Sequence, residues 1–253
     1  MAFKICHGSK KALPFMKALW KEAFHDSDEF IDLFFSEFYK PRKAFLRYDG
    51  DDLASMLFYM DLRVKYNGRR LKCAYLYGVA TKLSERRQGH FTALHNAFIE
   101  ELEEKKYDIV ITIPQNENLF TFYKDIGYVL PLRRCEYELE TIDITPVDNL
   151  ELIWEKKKEL HKKSRQFLSI LETKEQFIES RREHRFFSWN DSYLGFYPHK
   201  DSYILYDIIS EDALHTPTKL VHYERSALIK DLTGKLDAEK IEKEKPVFSF
   251  LLN

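Results

Sequence analysis

A short apolar strand that hands over to a helix through a basic, glycine-containing turn restricts the folds open to this chain more than any other stretch. The strand ends in Gly78-Val79-Ala80-Thr81, and the turn and helix start read Glu85-Arg86-Arg87-Gln88-Gly89-His90-Phe91. The first turn of a helix leaves about four backbone N–H groups without intrahelical partners. The helix macrodipole adds roughly half a positive charge at the same place. Phosphate is a natural occupant there. Arg86 and Arg87 supply permanent charge, and Gly89 lets the backbone come close to a ligand.

Hydrophobic spacing sets the elements around this handover. A first strand is expected over 3–6, and two helices over 10–39 from the spacing of Leu13, Met16, Leu19, Trp20 and Phe24, then Phe30, Leu33, Phe34 and Phe38. Pro41 ends that region, and a strand over 44–48 follows. Segments 56–66 and 71–79 read as a hairpin across Asn67-Gly68, a favoured two-residue turn. Gly78, inside the returning strand, marks a bulge or a close approach. A helix over 91–106 carries Phe91, Leu94, His95, Phe98 and Leu102 on one side, with Glu100, Glu101, Glu103 and Glu104 toward water. A buried strand over 108–113 stops at Pro114, and a short helix over 118–125 ends at Gly127. Strand, helix and strand in this order predict a parallel pair with a right-handed crossover. Ligands collect at the carboxyl ends of such strands, so 86–89 and 114–118 are expected to face a common cleft.

Past residue 140 the character changes. Segment 149–185 is highly charged and reads as helical, 193–197 and 203–209 as a second hairpin, 228–245 as helix plus turn broken at Gly234, and 247–252 as a terminal strand. The order faintly echoes the first half, without a second basic glycine turn. The expected fold class is α/β with a mixed sheet, in a first domain over 1–138 and a second, smaller one over 139–253.

Composition narrows the function classes. The chain has 253 residues, 44% hydrophobic, 32% charged and 15% aromatic, which suits a globular protein with a deep core or an apolar cleft. A net charge of -1 argues against a nucleic-acid partner, which calls for a basic excess. Lys156, Lys157, Lys158, Lys162 and Lys163 cluster, but acids are interspersed, so they read as a solvated helix face. No apolar run reaches the ~18 residues of a membrane span. Segment 1–13 lacks the apolar core of a signal peptide, so a cytoplasmic location is expected. Cys6, Cys73 and Cys135 are far apart, without metal-type spacing, and read as apolar fillers in a reducing compartment. His90 and His95 stand five apart and do not share a helix face as a zinc pair would, so no metal is expected.

Two motifs together resemble the GNAT N-acetyltransferases. Val79-Ala80-Thr81 followed by Arg86-Arg87-Gln88-Gly89 is similar to that family's acetyl-CoA pyrophosphate loop, Arg/Gln-x-x-Gly-x-Gly/Ala, with Arg86, Gly89 and Phe91 at the matching positions. Phe91 departs from the pattern, standing where the family has a small residue. The run from Asn116 through Tyr123 to Gly127-Tyr128 resembles the family's later motif, in which an Asn precedes a helix ending Tyr-x-x-x-Gly-Phe/Tyr. The wording Val-Ala-Thr and the extra half chain are most similar to the Eis-type branch, whose second domain is a degenerate GNAT-like half. That branch's third, sterol-carrier-like region is expected to be missing or much reduced here.

The resemblance implies an acetyl-CoA-dependent N-acetyltransferase acting on a small-molecule primary amine by direct attack in a ternary complex. Backbone groups of Val79, Ala80 and Thr81 would pair with the pantetheine arm. N–H groups from Arg87 through Gln88, Gly89 and His90 to Phe91 would hold the pyrophosphate, with Arg86 or Arg87 adding charge-assisted bonds. Asn116 would bond the arm from the other side, and Tyr123 would be the general acid. For the base, Asp61, Glu37, a water chain and the C-terminal carboxylate of Asn253 stay open. The second half would complete the acceptor pocket or a homo-oligomer surface. A non-catalytic acyl-CoA sensor remains an alternative. A peptidyl transferase using aminoacyl-tRNA is disfavoured by the charge balance.

Overall fold

Asn67 (φ 45°) and Gly68 (φ 78°) both take left-handed backbone, as the expected two-residue hairpin turn requires. That hairpin is the spine of the first of two units seen in a computed structural model, which describes residues 3–139, 144–163, 168–199, 202–210 and 218–244. The first unit comprises Met1–Asp61, Lys72–Ile113 and Lys230–Lys235, and the second Leu62–Leu71, Pro114–Ile229 and Leu236–Asn253. The hairpin tip therefore belongs to the second unit and its body to the first.

In the first unit, strands β1 (Phe3–His7), β2 (Ala44–Asp49), β3 (Asp52–Tyr66), β4 (Arg69–Thr81) and β5 (Ile109–Thr112) lie side by side in that order. β2 is antiparallel to β1 and to β3, whereas β5 is parallel to β4. Helices α1 (Leu13–Phe24) and α2 (Asp28–Leu33) precede β2, and α3 (His90–Glu104) connects β4 to β5. Alternation along β3 divides the aromatic side chains between the two faces of the sheet. Phe58 packs on Trp20, Phe34 and Phe35, from the α1 and α2 side. Its neighbour Tyr59 meets Phe98 of α3 at 5.3 Å. Ser27 caps α2 through its hydroxyl. The following turn, Phe34–Phe38, is π-helical: the Tyr39 N–H reaches back to the Phe34 carbonyl at 3.1 Å. The wider turn keeps Phe34 and Phe35 both in the core.

The second unit holds α4 (Glu117–Asp125), β6 (Leu130–Leu139), β7 (Thr145–Val147), α5 (Leu150–Lys163), β8 (Leu168–Leu171), α6 (Lys174–Glu179), β9 (Arg185–Trp189), β10 (Ser192–His199), β11 (Ser202–Ile209), most of β12 (Thr218–Asp231), and α7 (Ala238–Glu244). Its strands run β12-β6-β11-β10-β9-β7, and β8 adds to the outer end of β3, with Val64 opposite Ile170. Ile153, Trp154, Phe177, Phe186 and Ile209 form its core.

Three expectations need correction. Segment 149–185 is not one helical region: Leu168–Leu171 forms β8, because the β3 edge offers it an antiparallel ladder. Residues 228–231 are not helix but the end of β12, where Leu228 and Ile229 pair with Pro131 and Leu130 and are fully buried. Tertiary pairing overrides local propensity in both places. The lysine cluster is not wholly solvated either. Lys157 is buried with its ammonium on Glu172, and Arg181, also buried, bonds Glu172 at 2.6 Å and Asp207 at 2.8 and 3.1 Å. The lysine cluster gives no sign of this, because the partners come from three other segments. The expected strand over 247–252 lies outside the described residues.

Candidate functional site

Pairing between β4 and β5 runs from Cys73–Ile109 to Leu76–Thr112 and ends there. The Thr112 hydroxyl donates to the Leu76 carbonyl at 3.2 Å and closes the ladder. β4 continues through Val79, Ala80 and Thr81, so on the β5 side these residues have no strand partner among the described residues. Gly78 makes the departure (φ 57°). A Cβ there would stand 2.7 Å from Phe58 Cδ2 and 2.8 Å from Trp20 Cζ3, so backbone and packing both demand glycine. On the other side the strand is braced: Ser55 Oγ donates to the Ala80 carbonyl at 2.9 Å and lies 2.9 Å from Thr81 Oγ1.

Beyond Thr81 the chain makes a 3₁₀ turn over Leu83–Glu85 and then the basic loop. Glu22 Oε1 accepts from the Leu83 N–H at 2.7 Å. Arg86 Nε donates to the Thr81 carbonyl at 3.3 Å, and Gln88 Nε2 donates to the Ser84 carbonyl at 3.2 Å and to Glu85 Oε2 at 3.3 Å. Arg87 (φ 65°) and Gly89 (φ 76°) are both left-handed. Alternation of this kind turns successive N–H groups into a concavity for an anion. Gly89 is the N-cap of α3 and offers no side chain to it, and the first turn carries no acid. The first intrahelical bond runs from the Ala93 N–H to the Gly89 carbonyl. Arg86, Arg87, Gln88 and Gly89 are exposed, whereas His90 is buried. The Phe91 ring lies against His95, one turn on, at 5.3 Å between centroids. It leans along the helix, which is how a large residue is accommodated where the resembled motif has a small one.

Residues Val79 to Phe91 thus form one corner of the first unit. Asn116 and Tyr123 belong to the second, as cap and core of α4. Asn116 Oδ1 accepts from the Leu119 N–H at 3.0 Å, so its side chain serves the helix. Tyr123 is buried, with its ring edge-on to Tyr128 at 5.2 Å. Asn253 lies outside the described residues. Asp61 is tied to Lys43 at 2.8 Å and to the Tyr107 hydroxyl. Burial works to raise its carboxyl, but the bonds from Lys43 and Tyr107 prevail and hold it below the ordinary range. A carboxylate so satisfied is a poor proton acceptor. Ser55, Thr112 and Glu22 were not anticipated. A serine inside the apolar run of β3 was the one visible sign.

Residues 5–130 match the family profile described as an acetyltransferase (GNAT) domain. This chain belongs to the GNAT acetyltransferases. Solved structures with the same fold include a GCN5-related N-acetyltransferase from Kribbella flavida, at 13% identity and TM-score 0.71 over 91% of this chain and 71% of that one. A GCN5-related N-acetyltransferase from Anabaena variabilis aligns at 13% identity and TM-score 0.68, over 92% and 73%. Eis1 from Mycobacterium abscessus aligns at 9% identity and TM-score 0.66, over 91% and 74%. At these identities the likeness is one of fold, and that shared fold extends past residue 130 into the second half. No curated protein matches the chain. No helix among the described residues is long and apolar enough to cross a membrane.

Proposed function

We propose that this GNAT protein transfers an acetyl group from acetyl-CoA to a primary amine, by direct attack in a ternary complex. The observation that carries the reading is the stretch of β4 beyond Leu76, which leaves β5 and leads into the α3 N-terminus. An extended acyl carrier can add to such an edge as a further strand. In this reading the backbone of Val79, Ala80 and Thr81 pairs with the pantetheine arm. The N–H groups of residues 87–91 take the diphosphate, and Arg87 adds a charge-assisted bond. Arg86 is partly engaged by Thr81, so Arg87 is the freer guanidinium. The amine nitrogen attacks the thioester carbonyl carbon, the C–S bond breaks, and the thiolate takes the phenolic proton of Tyr123. With a reference pKa near 10, a phenol can supply that proton at neutral pH. Glu37, the Asn253 carboxylate and a water chain are the remaining candidates for the base. Residues 1–138 would carry the chemistry and 139–253 a degenerate GNAT-like half, a division of descent that the packing units cut across.

Calorimetry with acetyl-CoA tests the site. Removing both guanidinium groups, Arg86→Ala with Arg87→Ala, should cost about 1.5–3 kcal/mol for each charged hydrogen bond lost. Unchanged affinity overturns the loop assignment. Tyr123→Phe should lower turnover on an amine panel with little change in acetyl-CoA affinity. Tight CoA binding by a wild type that acetylates no amine would favour the sensor instead.

A further inference from the structure

The loop proposed to receive two phosphates contains a carboxylate, Glu85, immediately before Arg86. Left to itself, that charge would oppose any anionic ligand at the helix end. Two side chains engage it. Gln88 Nε2 donates to Glu85 Oε2 at 3.3 Å. His90 Nε2 sits 3.3 Å from the same oxygen, with the imidazole wholly buried. The contact is close enough for an ion pair, and among the described residues neither ring nitrogen of His90 makes a hydrogen bond. An unsatisfied buried polar group is costly, so an imidazole buried at the first position of α3 calls for a reason. The Phe3 ring stands edge-on to it at 5.1 Å and shuts off that side. Glu85 is a polar group within its reach.

We infer that His90 is a positioning residue for the donor's diphosphate: its buried imidazole holds the Glu85 carboxylate off the anion cradle at the α3 N-terminus. The inference rests on the donor reading above and adds a specificity device to it. His90 does not touch the ligand through its side chain. It acts through Glu85, and what it protects is the affinity for negative charge.

The test is a double-mutant cycle on CoA binding, read by calorimetry on the full chain, with pantetheine as a probe lacking the diphosphate. His90→Leu should weaken CoA about fivefold to tenfold, the size expected of one carboxylate acting on two phosphate charges at an effective dielectric near that of water. Glu85→Gln alone should bind CoA at least as tightly as wild type. The double variant should return to within about twofold of wild type, because the offending charge is gone. Pantetheine should bind all four proteins alike. If His90→Leu melts too low to handle, His90→Asn replaces it, with a smaller loss and the same rescue. A His90 variant that binds CoA like wild type, or a loss that Glu85→Gln does not rescue, overturns the inference while leaving the donor reading intact. A wild type that binds no CoA overturns both.

Discussion

Replacing Arg181 by leucine should unfold the second unit at markedly lower denaturant. Arg181 is almost completely buried and donates to Asp207 at 2.8 and 3.1 Å and to Glu172 at 2.6 Å. Three bonds to charged partners, at about 1.5–3 kcal/mol each, give a gross loss of about 4.5–9 kcal/mol. Removing the guanidinium also removes its own desolvation penalty. The net cost should therefore approach the about 3–5 kcal/mol typical of stranding one side of a buried ion pair. Lys157 alone then faces two buried carboxylates. With a urea slope of about 2 kcal/mol/M, the midpoint should fall by about 1.5–2.5 M. Trp154 and Trp189 report on this unit, and a Trp20→Phe background removes the signal of the first. Replacing all four charged residues by apolar ones, Lys157→Met, Glu172→Leu, Arg181→Leu and Asp207→Leu, should recover most of the loss, because no charge is then stranded. A midpoint shift under about 0.5 M for Arg181→Leu would refute the reasoning, since it would mean that the carboxylates reach water or neutralise without cost.

Gly78→Ala should destabilise by about 2–4 kcal/mol, combining a left-handed alanine with a clash against Trp20 and Phe58, and should weaken acetyl-CoA binding; chemical denaturation and calorimetry read the two effects. Acid should loosen the protein in two stages. His95, His161 and His184 are each depressed from 6.5 to about 4, chiefly by burial, with Lys230, Lys157 and Arg181 adding to it. The unfolded chain takes up their protons first, so stability is full above about pH 7 and falls between 6.5 and 4. Glu172 and Asp207, which Arg181 and Lys157 hold below the ordinary carboxyl range against the pull of burial, lose their contribution only at still lower pH. Thermal melting from pH 8 to 3 checks this, and a melting temperature flat down to pH 4.5 would contradict it. Asn116→Ser should keep the α4 cap, whereas Asn116→Ala should cost about 1 kcal/mol; a loss of acetyl-CoA affinity in Asn116→Ser would mark a ligand role beyond the cap.

The first unit and the hairpin tip were legible because their signals are local. The Asn67-Gly68 turn, the helical spacing from Leu94 to Leu102 and the apolar run before Pro114 each specify an element without help from elsewhere. They also fix the parallel β4–β5 pair that frames the cradle. The second unit was less legible because its structure is settled by distant pairing. Leu168–Leu171 is a strand only because residues 63–66 await it. Lys157 reads as one more surface lysine until Glu172, Arg181 and Asp207 come together from other segments. Within the site, the basic loop was visible but its braces were not. Ser55, Glu22 and Thr112 act through single bonds to backbone groups 25, 61 and 36 residues away, and no spacing rule reaches that far.

Those braces bear on how the cradle would work. Two left-handed residues within three positions, one of them an arginine, are unfavourable in a loose chain. Here the conformation is held by the Glu22 carboxylate on the Leu83 N–H, by Arg86 on the Thr81 carbonyl and by Gln88 on Ser84 and Glu85. Braces of this kind preorganise a loop, so binding would spend little on ordering it. Most of the interaction with a diphosphate could then appear as affinity. It follows that cutting a brace should weaken the ligand without removing a single contact to it. Glu22→Gln, which keeps an acceptor for the Leu83 N–H, should bind acetyl-CoA more tightly than Glu22→Ala, and equal affinities in the two would show that the loop is ordered by the ligand and not by the fold.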